Sequence, residues 1–106
     1  MRRFETLLLF SPDLTSESRN AVLGGFKGVI EREGGKVLQE DNWGMRDLAY
    51  PVKKQMRGYY TRLEYAGPGT LIAELERNIR IAESVFKFLT VKLADIEDKA
   101  GEEEAV

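Results

Sequence analysis

Apolar spacing changes from strand-like to helix-like along this chain, and that order constrains its fold more than any other feature. The segment 3–10 is a short apolar run that ends at a Ser-Pro-Asp turn, and segments 36–50, 58–65 and 85–93 also have the length and composition of strands. The third of these alternates cleanly between two faces, and the second contains an Asn-Trp-Gly sequence that predicts a bend or bulge. We therefore expect four strands.

Two further segments carry apolar residues at helical spacing. The first begins at an N-cap formed by Thr15 or Ser16 and ends at Gly34-Gly35, where one glycine can adopt the left-handed conformation. The second begins at Thr70, also as an N-cap. The apolar stripes consist of Val22, Phe26, Val29 and Ile30 in the first segment, and Leu71, Ile72, Leu75 and Ile79 in the second.

The predicted element order is β-α-β-β-α-β. Each helix must bury one stripe and each strand must present one face to the helices, so the economical arrangement is an antiparallel sheet with both helices on one side. The crossover of each β-α-β unit should be right-handed. We expect an α+β protein, a ferredoxin-like sandwich of a four-stranded antiparallel sheet and two helices, whose second sheet face is uncovered.

Charge divides the 106-residue chain into a body, 1–93, and a tail, 94–106. The chain has a net charge of −2, but the tail carries −5 and the body +3. A length near 100 residues favours one domain, which we assign to the body. The composition of the tail predicts disorder. Such asymmetry suggests an interaction surface with a solvated tail, although a tail that only improves solubility explains it equally well.

Several classes of function lack their residues in this sequence. The chain contains no cysteine and no histidine, which excludes thiolate chemistry, Cys/His metal sites and imidazole acid–base catalysis. No segment approaches the roughly 20 apolar residues that a membrane span needs. We expect no catalytic residue, no metal or other cofactor, no small-molecule substrate and no membrane partner.

The uncovered sheet face is expected to be apolar. If Phe4, Thr6, Leu8 and Phe10 point towards the helices, the residues between them point the other way. A contiguous exposed apolar patch usually marks a partner. The predicted partner-binding residues are Leu7, Leu9, Tyr60, Leu89 and Val91.

Cations concentrate around the hairpin between the second and third strands. We expect Tyr50-Pro51 to end one strand, because proline cannot donate to the ladder, and the loop 52–57 to project three cations before Gly58 starts the next strand. Flexible or forked cations along a surface are what phosphate contacts require. The predicted nucleic-acid-binding residues are Arg2, Arg3, Arg46, Lys53, Lys54, Arg57, Lys87 and Lys92.

Three sequence blocks make the prediction specific. They are MRRFE at the start, GMRDLAYPVKK at 44–54 followed by RGYY at 57–60, and IRIAESVFKFLTVK at 79–92. Together they resemble the bacterial small-subunit ribosomal protein S6 family, and the resemblance extends from Met1 to about Lys92. It implies a ferredoxin-like fold in the cytoplasmic ribosome, and binding to the central domain of small-subunit ribosomal RNA as a heterodimer with ribosomal protein S18.

Individual positions carry over from the resemblance. Basic family positions that lie towards RNA or S18 match Arg2, Arg3, Arg46, Lys54 and Lys92. Many members have a second arginine after the position of Arg46, where this chain has Asp47. This departure implies a weaker RNA contact there, with more of the binding left to S18.

Two hypotheses follow. The first is a non-enzymatic component of the small ribosomal subunit that binds RNA together with S18. The alternative is a ferredoxin-like regulatory module that homodimerises through its apolar face and binds a small metabolite. A monomer in gel filtration would favour the first hypothesis, and a stable homodimer the second.

Overall fold

The computed structural model describes residues 2–95, which form the predicted sandwich. In chain order the elements are β1 (Arg2–Phe10), α1 (Ser16–Arg32), β2 (Lys36–Val52), β3 (Gln55–Gly67), α2 (Leu71–Ile81) and β4 (Val85–Asp95). The strands form one antiparallel sheet in the order β2-β3-β1-β4. This confirms the predicted fold class. Of the predicted tail, residues 94 and 95 end β4, and residues 96–106 lie outside the described part of the chain.

The core lies between one sheet face and the two helices. Phe4, Leu8 and Phe10 of β1 are buried against the helices, as strict alternation predicts. Thr6 shares that face, and its hydroxyl forms hydrogen bonds with the hydroxyls of Tyr65 (2.7 Å) and Thr90 (2.9 Å). The buried hydroxyls of Thr6 and Tyr65 are therefore satisfied, and burial raises the pKa of the Tyr65 hydroxyl.

Both helices begin where the sequence predicts. The Thr15 hydroxyl accepts a hydrogen bond from the Ser18 amide at 3.1 Å, which confirms Thr15 as the N-cap of α1, and Gly34 after the helix has a φ of +89°. Thr70 occupies the N-cap position of α2, but its side chain makes no capping hydrogen bond. Leu23 joins the predicted buried stripe of α1. No helix in the described range is long and apolar enough to cross a membrane.

The hairpin differs from the prediction. The expectation that Tyr50-Pro51 ends the second strand is wrong, because β2 continues to Val52 and β3 begins at Gln55. Pro51 is tolerated since β2 is an edge strand and its pairing with β3 is irregular between positions 47 and 52. The turn is therefore short: it consists of Lys53 and Lys54, whose φ angles are +50° and +66°.

The predicted bulge in β2 is confirmed. The pairing with β3 shifts between Asn42 and Gly44, and Gly44 has a φ of +91°. Trp43 lies at this bulge, and its ring centroid is 6.4 Å from that of Tyr60. The bulge therefore brings an aromatic side chain of the edge strand next to the uncovered sheet face.

Candidate nucleic-acid interface

Strand register defines the uncovered sheet face, here called the open face. Residues directly opposite each other on paired strands point to the same side of a sheet. Leu7 lies opposite Arg62 on β3 and Leu89 on β4, and Leu9 lies opposite Tyr60 and Lys87. The register thus places all five predicted partner-binding residues on this face: Leu7, Leu9, Tyr60, Leu89 and Val91.

These five residues differ in exposure. Leu89 is 61% exposed and Val91 38%, whereas Leu9 is only 3% exposed. Leu9 lies beneath the hairpin, in a groove that is also lined by Leu48, Tyr50 and Tyr60. Leu9 therefore supports the open face from below and offers almost no area of its own to a partner. Trp43, 46% exposed beside Tyr60, was not predicted for this face because the bulge hides its orientation in the sequence.

The eight predicted RNA-binding residues fall at opposite ends of the sheet. Phe10 pairs with Tyr59 near the hairpin, while Arg2 pairs with Gly67 at the other end of β1. Eight residue steps at about 3.3 Å separate the two ends by roughly 25 Å. The first group, here called the hairpin end, contains Arg46, Lys53, Lys54, Arg57 and Lys87. The second contains Arg2, Arg3 and Lys92.

Cations of the hairpin end are largely exposed. Arg46 lies opposite Gly58 on the open face, and Lys54 occupies the turn. Arg57 differs from these two in having a carboxylate partner, because its Nε lies 3.1 Å from Oδ1 of Asp47. Both of these side chains are well exposed, so the pair adds little stability. Asp47, at the position where many family members have a second arginine, thus lies beside one of the predicted RNA-binding residues.

Contacts from the hairpin to β4 hold the hairpin across the open face. Lys87 Nζ donates a 2.8 Å hydrogen bond to the Tyr50 hydroxyl and lies 4.8 Å from the centre of its ring. This hydrogen bond lowers the pKa of the Tyr50 hydroxyl, since it favours the ionised form. Lys53 Nζ lies 5.8 Å from the ring centre of Phe86. Two contacts therefore join the hairpin to β4, one through Tyr50 and one through Lys53.

A network of charges occupies the other end of the open face. The Arg62 guanidinium donates to Oδ2 of Asp41 at 2.9 Å, to Oε1 of Glu64 at 2.8 Å, and to Glu5. Arg3 Nε lies 3.3 Å from Oε2 of Glu64. These five residues are here called the Arg62 cluster.

Electrostatics in the Arg62 cluster favour the charged state of its centre. The Arg62 side chain is only 17% exposed. Its burial acts to lower the pKa of the guanidinium, but the hydrogen bonds to Glu64, Glu5 and Asp41 outweigh that cost and raise the pKa. Local sequence patterns do not indicate this cluster, because Arg62 and its partners lie as many as 57 positions apart and only strand register brings them together.

The second group of predicted cations does not share one surface. Arg3 lies on the open face within the Arg62 cluster, whereas Lys92 lies opposite Phe4 and so belongs to the helix side of the sheet. The Arg2 guanidinium lies against Gly69, where an added Cβ would come within 2.5 Å of Nη1. The structure therefore brings together the cations of the hairpin end and separates the others.

Comparisons with known proteins give a consistent result. Residues 3–92 match the family described as Ribosomal protein S6. The small ribosomal subunit protein bS6 of Nitratidesulfovibrio vulgaris is 65% identical over 95 residues, which cover 90% of this chain and 94% of that protein. The bS6 protein of Desulfovibrio desulfuricans is also 65% identical, over 96% of this chain and 98% of its own length.

A solved structure supports the same assignment. The 30S ribosomal protein S6 of Thermotoga maritima is 27% identical and superposes with a TM-score of 0.85, with 98% of this chain and 96% of that chain covered. A match over 3–92 and relatives at 65% identity along nearly their full length lead to one conclusion: this chain belongs to the Ribosomal protein S6 family.

Proposed function

We propose that this chain is a non-catalytic structural component of the small ribosomal subunit, and that it binds the central domain of small-subunit ribosomal RNA together with ribosomal protein S18. Family membership carries the proposal, since relatives 65% identical to this chain are named small ribosomal subunit proteins. Those relatives are bacterial, so the ribosome concerned is cytoplasmic.

The composition of the hairpin turn supports an RNA contact at the hairpin end. Lys53 and Lys54 both have positive φ angles, a conformation that costs a non-glycine residue about 1–2 kcal/mol. Two-residue hairpin turns of this kind strongly prefer Asn-Gly. Backbone strain of this sort usually persists where function requires it. Two adjacent ammonium groups at the tip of the hairpin are well placed to contact a phosphate backbone.

The apolar part of the open face supports a protein contact. Leu7, Tyr60, Leu89 and Val91 share this face, and Leu89 and Val91 are exposed there. Together with Trp43 they form an apolar patch between the hairpin end and the Arg62 cluster. We assign this patch to S18, because a folded RNA offers little apolar surface to cover it.

Salt dependence of RNA binding tests the RNA contact. The chain and S18 are mixed with a central-domain RNA fragment, and the dissociation constant is measured at several salt concentrations. Arg46→Ala and Lys54→Ala should each lower the slope of log affinity against log salt by about one, because each removes one phosphate contact. Arg77→Ala is the matched control, since Arg77 is 61% exposed on α2, away from the hairpin. Unchanged slopes for both hairpin variants would remove the hairpin end from the RNA site.

Association with the ribosome tests the proposal as a whole. The chain should sediment with the small subunit from a cell lysate and remain bound through a wash at low ionic strength. Loss from the particle in that wash would contradict the proposal.

The alternative, a homodimeric module that binds a metabolite, has less support. Two grooves on the open face have volumes of about 170 Å³ each, below the roughly 300–1,000 Å³ typical of small-molecule sites. Gel filtration of the isolated chain separates the two hypotheses. A monomer is expected, and a stable homodimer would revive the alternative.

A further inference from the structure

A cation of α1 lies at the same end of the sheet as the hairpin. The guanidinium carbon of Arg19 is 3.5 Å from the ring centre of Tyr59, which is stacking distance. Tyr59 lies opposite Phe10 on β1 and Met45 on β2, and is therefore one position from Gly58 and its partner Arg46. Arg19 was not among the predicted RNA-binding residues, because no local sequence pattern places it on Tyr59.

Stacking on Tyr59 leaves the hydrogen-bonding groups of Arg19 available. Guanidinium donors lie in the plane of the group, so a ring beneath that plane leaves them directed outwards. Within residues 2–95, no carboxylate lies within ion-pair distance of Arg19. Tyr59 is half-buried and packs against the core, so the ring gives the guanidinium a fixed support. A positively charged fork held in one orientation is suited to a phosphate group.

Arg19 extends the positive surface to the other side of the sheet. Tyr59 belongs to the face that packs against the helices, and Arg57, two positions earlier on β3, points to the same side. Arg46 and Lys87 lie on the open face. Cations therefore lie on both sides of the hairpin end, and on the helix side Arg57 is paired with Asp47 whereas Arg19 is stacked on Tyr59.

We infer that Arg19 is a further phosphate-binding residue, that Tyr59 is its positioning residue, and that the RNA backbone contacts the hairpin end from the helix layer as well as from the open face. This inference rests on the proposed function, because it concerns the same RNA site.

Four variants test the inference in the salt titration with S18 and the RNA fragment. Arg19→Ala should lower the salt slope by about one, whereas Arg19→Lys should keep the slope. Tyr59→Leu keeps the charge but removes the stacking surface, so affinity should fall several-fold with the slope little changed. Tyr59→Phe keeps the ring and should bind like the unmodified chain. If the role of Tyr59 were purely structural, Tyr59→Leu would not lower the affinity for RNA while leaving the salt slope unchanged.

Controls distinguish failure of this inference from failure of the proposed function. Thermal unfolding of each variant shows whether the fold is retained, and Arg19→Ala is informative even if Tyr59→Leu unfolds. Wild-type affinity and slope for Arg19→Ala, combined with a reduced slope for Arg46→Ala, would overturn the inference alone. Absence of RNA binding by the unmodified chain with S18 would overturn both.

Discussion

The hairpin end and the Arg62 cluster use the same residue types in opposite ways. At the hairpin end, Arg46 and Lys54 are exposed, and neither has an ion-pair partner within the described residues. In the Arg62 cluster, a guanidinium that is 17% exposed contacts three carboxylates. Removal of a largely buried cation leaves its carboxylate partners uncompensated and destabilises the fold, whereas exposed cations remain available to a ligand.

This difference shows why a count of cations does not locate an RNA site. Arg3 and Arg46 are both basic residues at family positions, yet Arg3 pairs with Glu64 inside the cluster. Lys27 is likewise paired with a carboxylate, that of Glu40, on the helix side of β2. Three predictions test whether the two regions differ as described.

The largest expected effect is on stability. Arg62→Ala would leave the carboxylates of Glu5, Asp41 and Glu64 close together without their shared cation, and should lower the free energy of unfolding by about 2 kcal/mol. Urea denaturation measures this change, and Arg77→Ala should cost less than about 0.5 kcal/mol. The salt slope of RNA binding should not change. Equal stability losses for the two variants would remove the distinction between the regions.

An intermediate effect is expected from exchanging the turn residues. Replacing Lys53-Lys54 by Asn-Gly removes the backbone strain and should raise the free energy of unfolding by about 1–2 kcal/mol. The same change removes two cations, so the salt slope should fall by up to about two. An Arg-Arg turn is the control, because it keeps both the charge and the strain. Increased stability with unchanged RNA binding would show that the lysines do not contact RNA.

The smallest expected effect is a pH dependence of the stability that the Lys27–Glu40 ion pair contributes. The Lys27 hydrogen bond holds the pKa of Glu40 below its ordinary value of 4.5. Because the pKa in the folded state is lowered, the pair stabilises the fold above about pH 4.5, and this contribution is lost as pH falls through the lowered pKa. Lys27→Met should therefore cost up to about 1 kcal/mol at pH 7 and less at pH 3.

Chemical denaturation across this pH range measures the contribution of the Lys27–Glu40 pair. In a Glu40→Gln background, Lys27→Met should show no such pH dependence. A cost that stays constant from pH 7 to pH 3 would contradict the assignment of the pair.

Local patterns were sufficient to predict the elements and the fold. The alternation of Phe4, Leu8 and Phe10 predicted their burial, and Thr15 and the Gly34-Gly35 pair predicted the ends of α1. These features depend on neighbours a few positions apart, so they can be read from the chain. The end of β2 could not be predicted this way. Pro51 is tolerated within β2 because β2 is an edge strand, and the strand order of the sheet is a tertiary property.

Tertiary structure alone decided which charged and apolar residues are available. Arg62 meets Glu5 across two strands, Lys87 reaches Tyr50, and Arg19 stacks on Tyr59, and each contact joins residues at least 37 positions apart. Sequence by itself determined the element order and the set of cations. Strand register, which depends on how the strands pair, determined which cations bind carboxylates and which remain exposed, and it also placed Leu9 beneath the hairpin.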